Sequence, residues 1–124
     1  MNDVYFRTAK TILTPDSKSY LNGIAKMLDK YPKLKIEVAG HTDNMGGLVY
    51  NLKLSQGRAK AGRDYMVSVA PELGSHLSAK GYGMTQPKVD NTTEAGRKYN
   101  RRIELRVLNR EILQEYNLEE QRSP

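Results

Sequence analysis

Two stretches of the chain alternate residue by residue, and they constrain its fold more than any other feature. Leu34, Ile36 and Val38 alternate with Lys35, Glu37 and Ala39, and Ile103, Leu105 and Val107 alternate with Arg102, Glu104 and Arg106. A period of two sends one set of side chains to each face, so each stretch predicts a half-buried strand, the first over residues 34–40. Between them and before them the spacing becomes helical. Thr14-Pro15-Asp16-Ser17 supplies a hydroxyl N-cap, a proline at the first helical position and an acid in the first turn. Leu21, Ile24, Ala25 and Leu28 then keep helical spacing until Tyr31-Pro32 ends the segment. Gly46-Gly47 precedes a second helix over roughly 48–69, whose expected inward stripe is Leu48, Leu52, Ala59, Met66 and Val69.

The weaker signals fill in the rest. Val4-Tyr5-Phe6 reads as a short first strand, Leu77 to Tyr82 as a third, and Thr93-Glu94 as the opening of a short helical turn. Strands alternating with helices imply helices packed on a sheet. The 124 residues suffice for one domain with a modest core, expected over residues 1–110 without repeat or linker. Residues 111–124 are expected to form an acidic C-terminal tail; it either extends as helix or frays, and its polar character weighs against order.

Charge narrows the partners. The net charge is +6, but the tail holds four glutamates and a single arginine, which leaves residues 1–110 with 19 basic and 10 acidic side chains, or +9. Such a body suits an anionic partner: nucleic acid, an anionic surface or a carboxylate-rich polymer. No apolar run approaches the roughly 18–20 residues of a membrane span. Met1-Asn2-Asp3 opens without a basic or apolar leader, so the chain is expected to be either cytoplasmic or a piece of a longer exported protein. With no cysteine, disulfides and thiolate metal sites are excluded.

The polar residues of Gly40 to Ala59 are harder to assign to folding. Asp43 lies just past the second strand, and Asn51, Leu54 and Arg58 follow at i, i+3 and i+7 on one face of the next helix. Loops at the carboxyl ends of strands are where sheet-and-helix proteins place ligands. A carboxylate facing a guanidinium across a gap fits a ligand with an ammonium and a carboxylate on nearby atoms. The alternatives are that Asp43 caps its own loop, or that Asp43 and Arg58 form an internal ion pair. His41 and Asp43 lack a third metal ligand and an orienting catalytic partner, so His41 reads as a hydrogen-bonded structural histidine. No Lys-Ser/Thr pair follows Gly46-Gly47, which rules against a phosphate loop.

Taken in order, Gly40-His41-Thr42-Asp43, Gly46, Asn51-Leu52-Lys53-Leu54-Ser55, Arg58-Ala59, Gly81-Tyr82-Gly83, Pro87, Asn91 to Arg97 and Asn100-Arg101-Arg102-Ile103-Glu104 resemble the OmpA-like peptidoglycan-binding domain family. The resemblance runs from about Val4 to Leu108. It implies an α+β fold: βαβαβ plus a final strand, a small mixed four-stranded sheet with helices packed on it. It implies non-catalytic binding of peptidoglycan through the meso-diaminopimelate of the stem peptide. Such a domain anchors an outer-membrane or envelope protein to the wall from the periplasm. No cofactor and no metal are expected. Carried over, the family's site falls on Asp43 for the diaminopimelate ammonium and Arg58 for its carboxylate. Asn51, Thr42 and Leu54 fit the surrounding wall, and Arg101 is a further contact, with Arg102 facing away or supporting structure. Gly62 departs from the family's aliphatic residue, and with Gly57 it costs the helix about 0.5–1 kcal/mol per glycine. On this reading Asp43→Ala or Arg58→Ala abolishes binding to sacculi with the melt nearly unchanged. The fragment itself is expected to contact neither membrane nor nucleic acid.

The alternative is a basic nucleic-acid-binding module, suggested by Arg97, Lys98, Arg101, Arg102 and Arg106. Against it, no aromatic residues interleave with that cluster as base-stacking surfaces do. A wall hydrolase lacks a catalytic dyad with an orienting partner.

Overall fold

A computed structural model describes the backbone of residues 4–122 and the side chains of residues 4–116. In chain order the elements are β1 (Val4–Tyr5), α1 (Pro15–Leu28), β2 (Ile36–Gly40), α2 (Leu48–Val69), a 3-10 turn (Pro71–Ser75), β3 (Leu77–Gly81), α3 (Glu94–Asn100), β4 (Arg102–Val107) and α4 (Glu111–Arg122). The sheet order is β1-β4-β2-β3, with β2 and β3 parallel and β4 antiparallel to both β1 and β2. This is the α+β, mixed four-stranded fold that the family resemblance implies.

Local chemistry sets the element starts. Thr14 Oγ1 accepts the Ser17 amide at 3.1 Å, and Thr93 Oγ1 accepts the Gly96 amide at 3.0 Å, so two helices begin on threonine caps. Both alternating strands send their apolar set to one side. Ile36 and Val38 meet Val107 and Leu105 across the ladder and bury against Leu21, Ala25 and Leu28 of α1 and against Ala59 and Met66 of α2. Glu37, Glu104 and Arg106 take the opposite face.

The stripe expected on α2 is only half right. Ala59 and Met66 are buried, whereas Leu48 and Leu52 are 50% and 39% exposed. The inward face of the first turns is polar: Asn51, Ser55 and Arg58 are buried. They replace leucine because this end of the helix sits over strand ends and loop rather than over the core. Two glycines bring α2 that close. A Cβ on Gly40 would overlap the Ser55 carbonyl oxygen, and one on Gly62 would run into Ile103 Cδ1. The helix-weakening glycine at 62 is therefore a close-approach position.

Over Glu111–Arg122 the chain is helical. Ile112, Leu113 and Tyr116 pack on the core, and the Tyr116 ring meets Tyr31 edge-on at 4.8 Å. The Tyr116 hydroxyl also accepts the Lys33 amide at 3.0 Å. The composition of the tail misses this because three apolar contacts on one face suffice to seat it.

Candidate functional site: a cleft between a turn and the second helix

The β1–α1 connection, the loop after β2, the start of α2 and the end of α3 meet around a cleft of about 230 Å³. Asp43, Asn51, Leu54, Arg58 and Arg101 line it, together with Thr8, Ala9, Met45, Gly46 and Tyr50. Thr42 does not line it. That side chain is buried one residue away, and its hydroxyl donates to the Asp43 carbonyl at 2.8 Å.

Arg58 forms the floor. It is fully buried, yet no carboxylate holds it among the described residues. Its Nε donates to the Lys10 carbonyl at 2.9 Å, one terminal nitrogen to the His41 carbonyl at 3.0 Å and the other to the Arg7 carbonyl at 3.1 Å. The Phe6 ring lies 5.2 Å from the guanidinium carbon. Burial lowers its pKa to about 10, the nearby Asp43 opposing this and Arg101 adding to it. The group therefore stays cationic at neutral pH, its hydrogen bonds among the described residues all going to backbone carbonyls. Those three bonds leave two of its five N–H donors over. The internal Asp43–Arg58 bridge that the sequence left open does not form.

Asp43 instead pairs with Arg101. Its Oδ2 accepts from an Arg101 terminal nitrogen at 2.9 Å, and its Oδ1 accepts the Met45 amide at 3.0 Å. Arg101 also donates to Glu94 at 2.7 Å and to the Phe6 carbonyl at 3.2 Å. Asn51 uses its amide nitrogen on the Met45 carbonyl at 3.1 Å, while its Oδ1 is buried without a partner among the described residues. Such an orphaned acceptor, on a cleft wall, is a group that a ligand donor satisfies.

The turn above Arg58 escaped the sequence reading. Lys10 N–H donates to the Arg7 carbonyl at 3.1 Å, closing a turn whose third residue, Ala9, has φ 57°. That position favours glycine or asparagine, so alanine there gave no turn signal. His41 is fully buried, and its Nδ1 has no hydrogen-bond partner among the described residues. Its ring stacks on Tyr82 at 5.7 Å and Nε2 lies 3.3 Å from Arg106. Arg102 supports structure on the other sheet face, where its Nε donates to Glu104 at 2.7 Å.

The basic cluster that suggested nucleic acid is mostly paired within the fold. Arg97 holds Glu94, Arg101 holds Asp43 and Glu94, and Arg102 and Arg106 share Glu104. Among the described residues no helix is long and apolar enough to cross a membrane.

A family model described as the OmpA family matches residues 5–101. The chain belongs to the OmpA family. Outer membrane porin F of Pseudomonas fluorescens is 44% identical over 107 residues, covering 85% of this chain and 32% of the porin. The chain thus spans about a third of that relative's length. Among solved structures, the peptidoglycan-associated lipoprotein of Burkholderia pseudomallei superposes with a TM-score of 0.81 at 28% identity, over 86% of this chain and 90% of that one. The C-terminal domain of Helicobacter pylori MotB gives 0.85 at 25% identity, over 100% and 99% of the two chains. These OmpA-family relatives are outer-membrane or cell-envelope proteins.

Proposed function

We propose that the domain binds peptidoglycan noncovalently through the meso-diaminopimelate of the stem peptide, and so anchors a larger envelope protein to the cell wall. One observation carries this reading: Asp43 and Arg58 face a single cleft without bonding each other. In this account the ligand carboxylate meets the spare N–H groups of Arg58. The ligand ammonium meets the free lone pairs of Asp43 and the orphaned Oδ1 of Asn51. Leu54 supplies an apolar wall, and Arg101 keeps Asp43 in place while adding a second cation near the carboxylate. Because Arg58 has no exposed surface, entry requires the Arg7–Lys10 turn to ease outward.

The site needs no catalytic group for this role. Selectivity follows from the side-chain end of diaminopimelate, which carries a carboxylate that lysine lacks. A lysine stem leaves Arg58 facing no anion, which costs a kcal/mol or more, roughly tenfold in affinity. A single stem makes few contacts, so anchoring arises from many domains engaged on one polymer. The resemblance to a peptidoglycan-associated lipoprotein supports the same partner.

The test is titration of a diaminopimelate tripeptide against its lysine counterpart, followed by amide chemical shifts. The expected result is tighter binding of the first, with the largest shifts at Asp43, Asn51 and Arg58. Equal affinity for the two peptides sinks the assignment of Arg58.

A further inference from the structure

On the far side of the Arg7–Lys10 turn lies a second concavity, of about 330 Å³. Its floor is Phe6 and Leu13, and Tyr5 and the largely exposed Ile12 form its walls. Arg7 and Lys10 stand on its rim. Both are exposed, and neither side chain makes a hydrogen bond or ion pair among the described residues. They differ in this from Arg63, Arg97, Arg101, Arg102 and Arg106, each of which holds a carboxylate. An apolar trough edged by two cations that hold no carboxylate among the described residues suits a small apolar group followed by a carboxylate.

The trough and the cleft are back to back. Phe6 lines the first and stacks under the Arg58 guanidinium of the second. The turn between them gives Thr8 and Ala9 to the cleft and Arg7 and Lys10 to the trough. A four-residue turn is less than about 7 Å across. An extended peptide covers that distance in about two residues, at roughly 3.3–3.6 Å each.

We propose that this trough is a second subsite, in which Arg7 and Lys10 bind the free carboxylate of the residues next to diaminopimelate on the same stem peptide. The inference rests on the reading of the cleft given above. It makes the turn a two-sided element: its carbonyls hold Arg58 for one part of the ligand, and its side chains take the next.

Calorimetric titration of the whole chain separates the two readings. The probes are free meso-diaminopimelate and a stem tripeptide that carries the adjacent carboxylate. For the wild type the tripeptide binds more tightly. In Arg7→Ala/Lys10→Ala, which keeps both backbone carbonyls, tripeptide affinity falls about threefold to tenfold, the range set by two solvent-facing ion pairs. Its affinity for free diaminopimelate stays unchanged. Arg7→Lys/Lys10→Arg restores the tripeptide. Unchanged tripeptide binding in the alanine variant overturns the subsite. An equal loss for both ligands also overturns it, because the turn would then act only by shaping the cleft. Failure of the wild type to bind either ligand removes the cleft reading itself, and the subsite with it.

Discussion

Asp43 and Arg101 are joined by a 2.9 Å hydrogen-bonded ion pair, with each side chain 7% exposed. The carboxylate of the cleft is thus set by a residue 58 positions away, at the junction of α3 and β4. Replacing Arg101 by methionine leaves Asp43 buried without its counter-charge, a situation that costs about 3 kcal/mol. Urea denaturation of Arg101→Met measures this. Glu94, on the outer side of Arg101, is 64% exposed, so Glu94→Gln should cost far less than Arg101→Met. Comparable losses from the two substitutions count against the hierarchy.

Arg58 supports the fold as well as the cleft. Its three bonds to the carbonyls of Arg7, Lys10 and His41 tie the β1–α1 turn to the end of β2. Arg58→Ala strips those partners and opens a hole beside Phe6, so the expected loss is about 2–4 kcal/mol. This revises the expectation of an unchanged melt. Asp43→Asn is the cleaner probe, since it keeps the shape and an acceptor for Met45 while removing the charge. It should melt closer to wild type than Arg58→Ala and still lose sacculus binding. A wild-type melting temperature for Arg58→Ala contradicts the carbonyl clamp.

Much of this was legible in the sequence, for identifiable reasons. Period-two alternation at Ile36–Val38 and Ile103–Val107 reports a sheet with one buried face, and the threonine caps at 14 and 93 are local signals read within four residues. The polar spacing of Asn51, Leu54 and Arg58 put them together on one face, and they do line one cleft. The partners of each group were not legible, because they arise from long-range approach. Arg58 meets carbonyls 48 and 51 residues away, and backbone carbonyls carry no sequence signature. The inward face of α2 was mistaken at Leu48 and Leu52 because helical periodicity reports hydrophobic spacing and not what lies opposite. The seat of α4 depends on Tyr116 meeting Tyr31 and the Lys33 amide, a contact that composition alone cannot foresee.

His41 gives the domain a pH dependence. Burial first, then Arg102 and Arg106, push its pKa down to about 4, against the pull of Glu104. The folded value lies below the unfolded one of about 6.5, so the unfolded chain binds the proton first. Stability is complete above about pH 6.5 and declines as the pH falls toward 4, by up to about 3 kcal/mol. Urea midpoints across that window measure the slope. His41→Gln should flatten it; a slope identical to wild type assigns the effect elsewhere.

Ala9 holds φ at 57° in the turn above Arg58. A side chain in that region costs about 1–2 kcal/mol, and glycine recovers part of it while adding freedom to the unfolded chain. Ala9→Gly is therefore expected to stabilise by about 0.5–1 kcal/mol, read as a raised urea midpoint. A lowered midpoint shows that the turn is relaxed as built.

The outer edge of β3 is closed by side chains of α2. Gln56 donates to the Ala79 carbonyl at 3.3 Å and accepts the Gly81 amide at 2.8 Å, and Arg63 donates to the Leu77 carbonyl at 3.2 Å. The backbone groups of Leu77, Ala79 and Gly81 face the sheet edge because those of the intervening residues bond to β2, as in the Tyr82 amide on the Gly40 carbonyl. An edge strand with free backbone groups is a template for another strand, and Gln56 occupies that template within the chain. Gln56→Ala removes both bonds and leaves an open run on β3. The expected outcome is concentration-dependent self-association in sedimentation velocity, absent in Gln56→Glu at neutral pH, where the added charge guards the edge. If Gln56→Ala stays monomeric at high concentration, Arg63 and the shortness of the strand are sufficient protection.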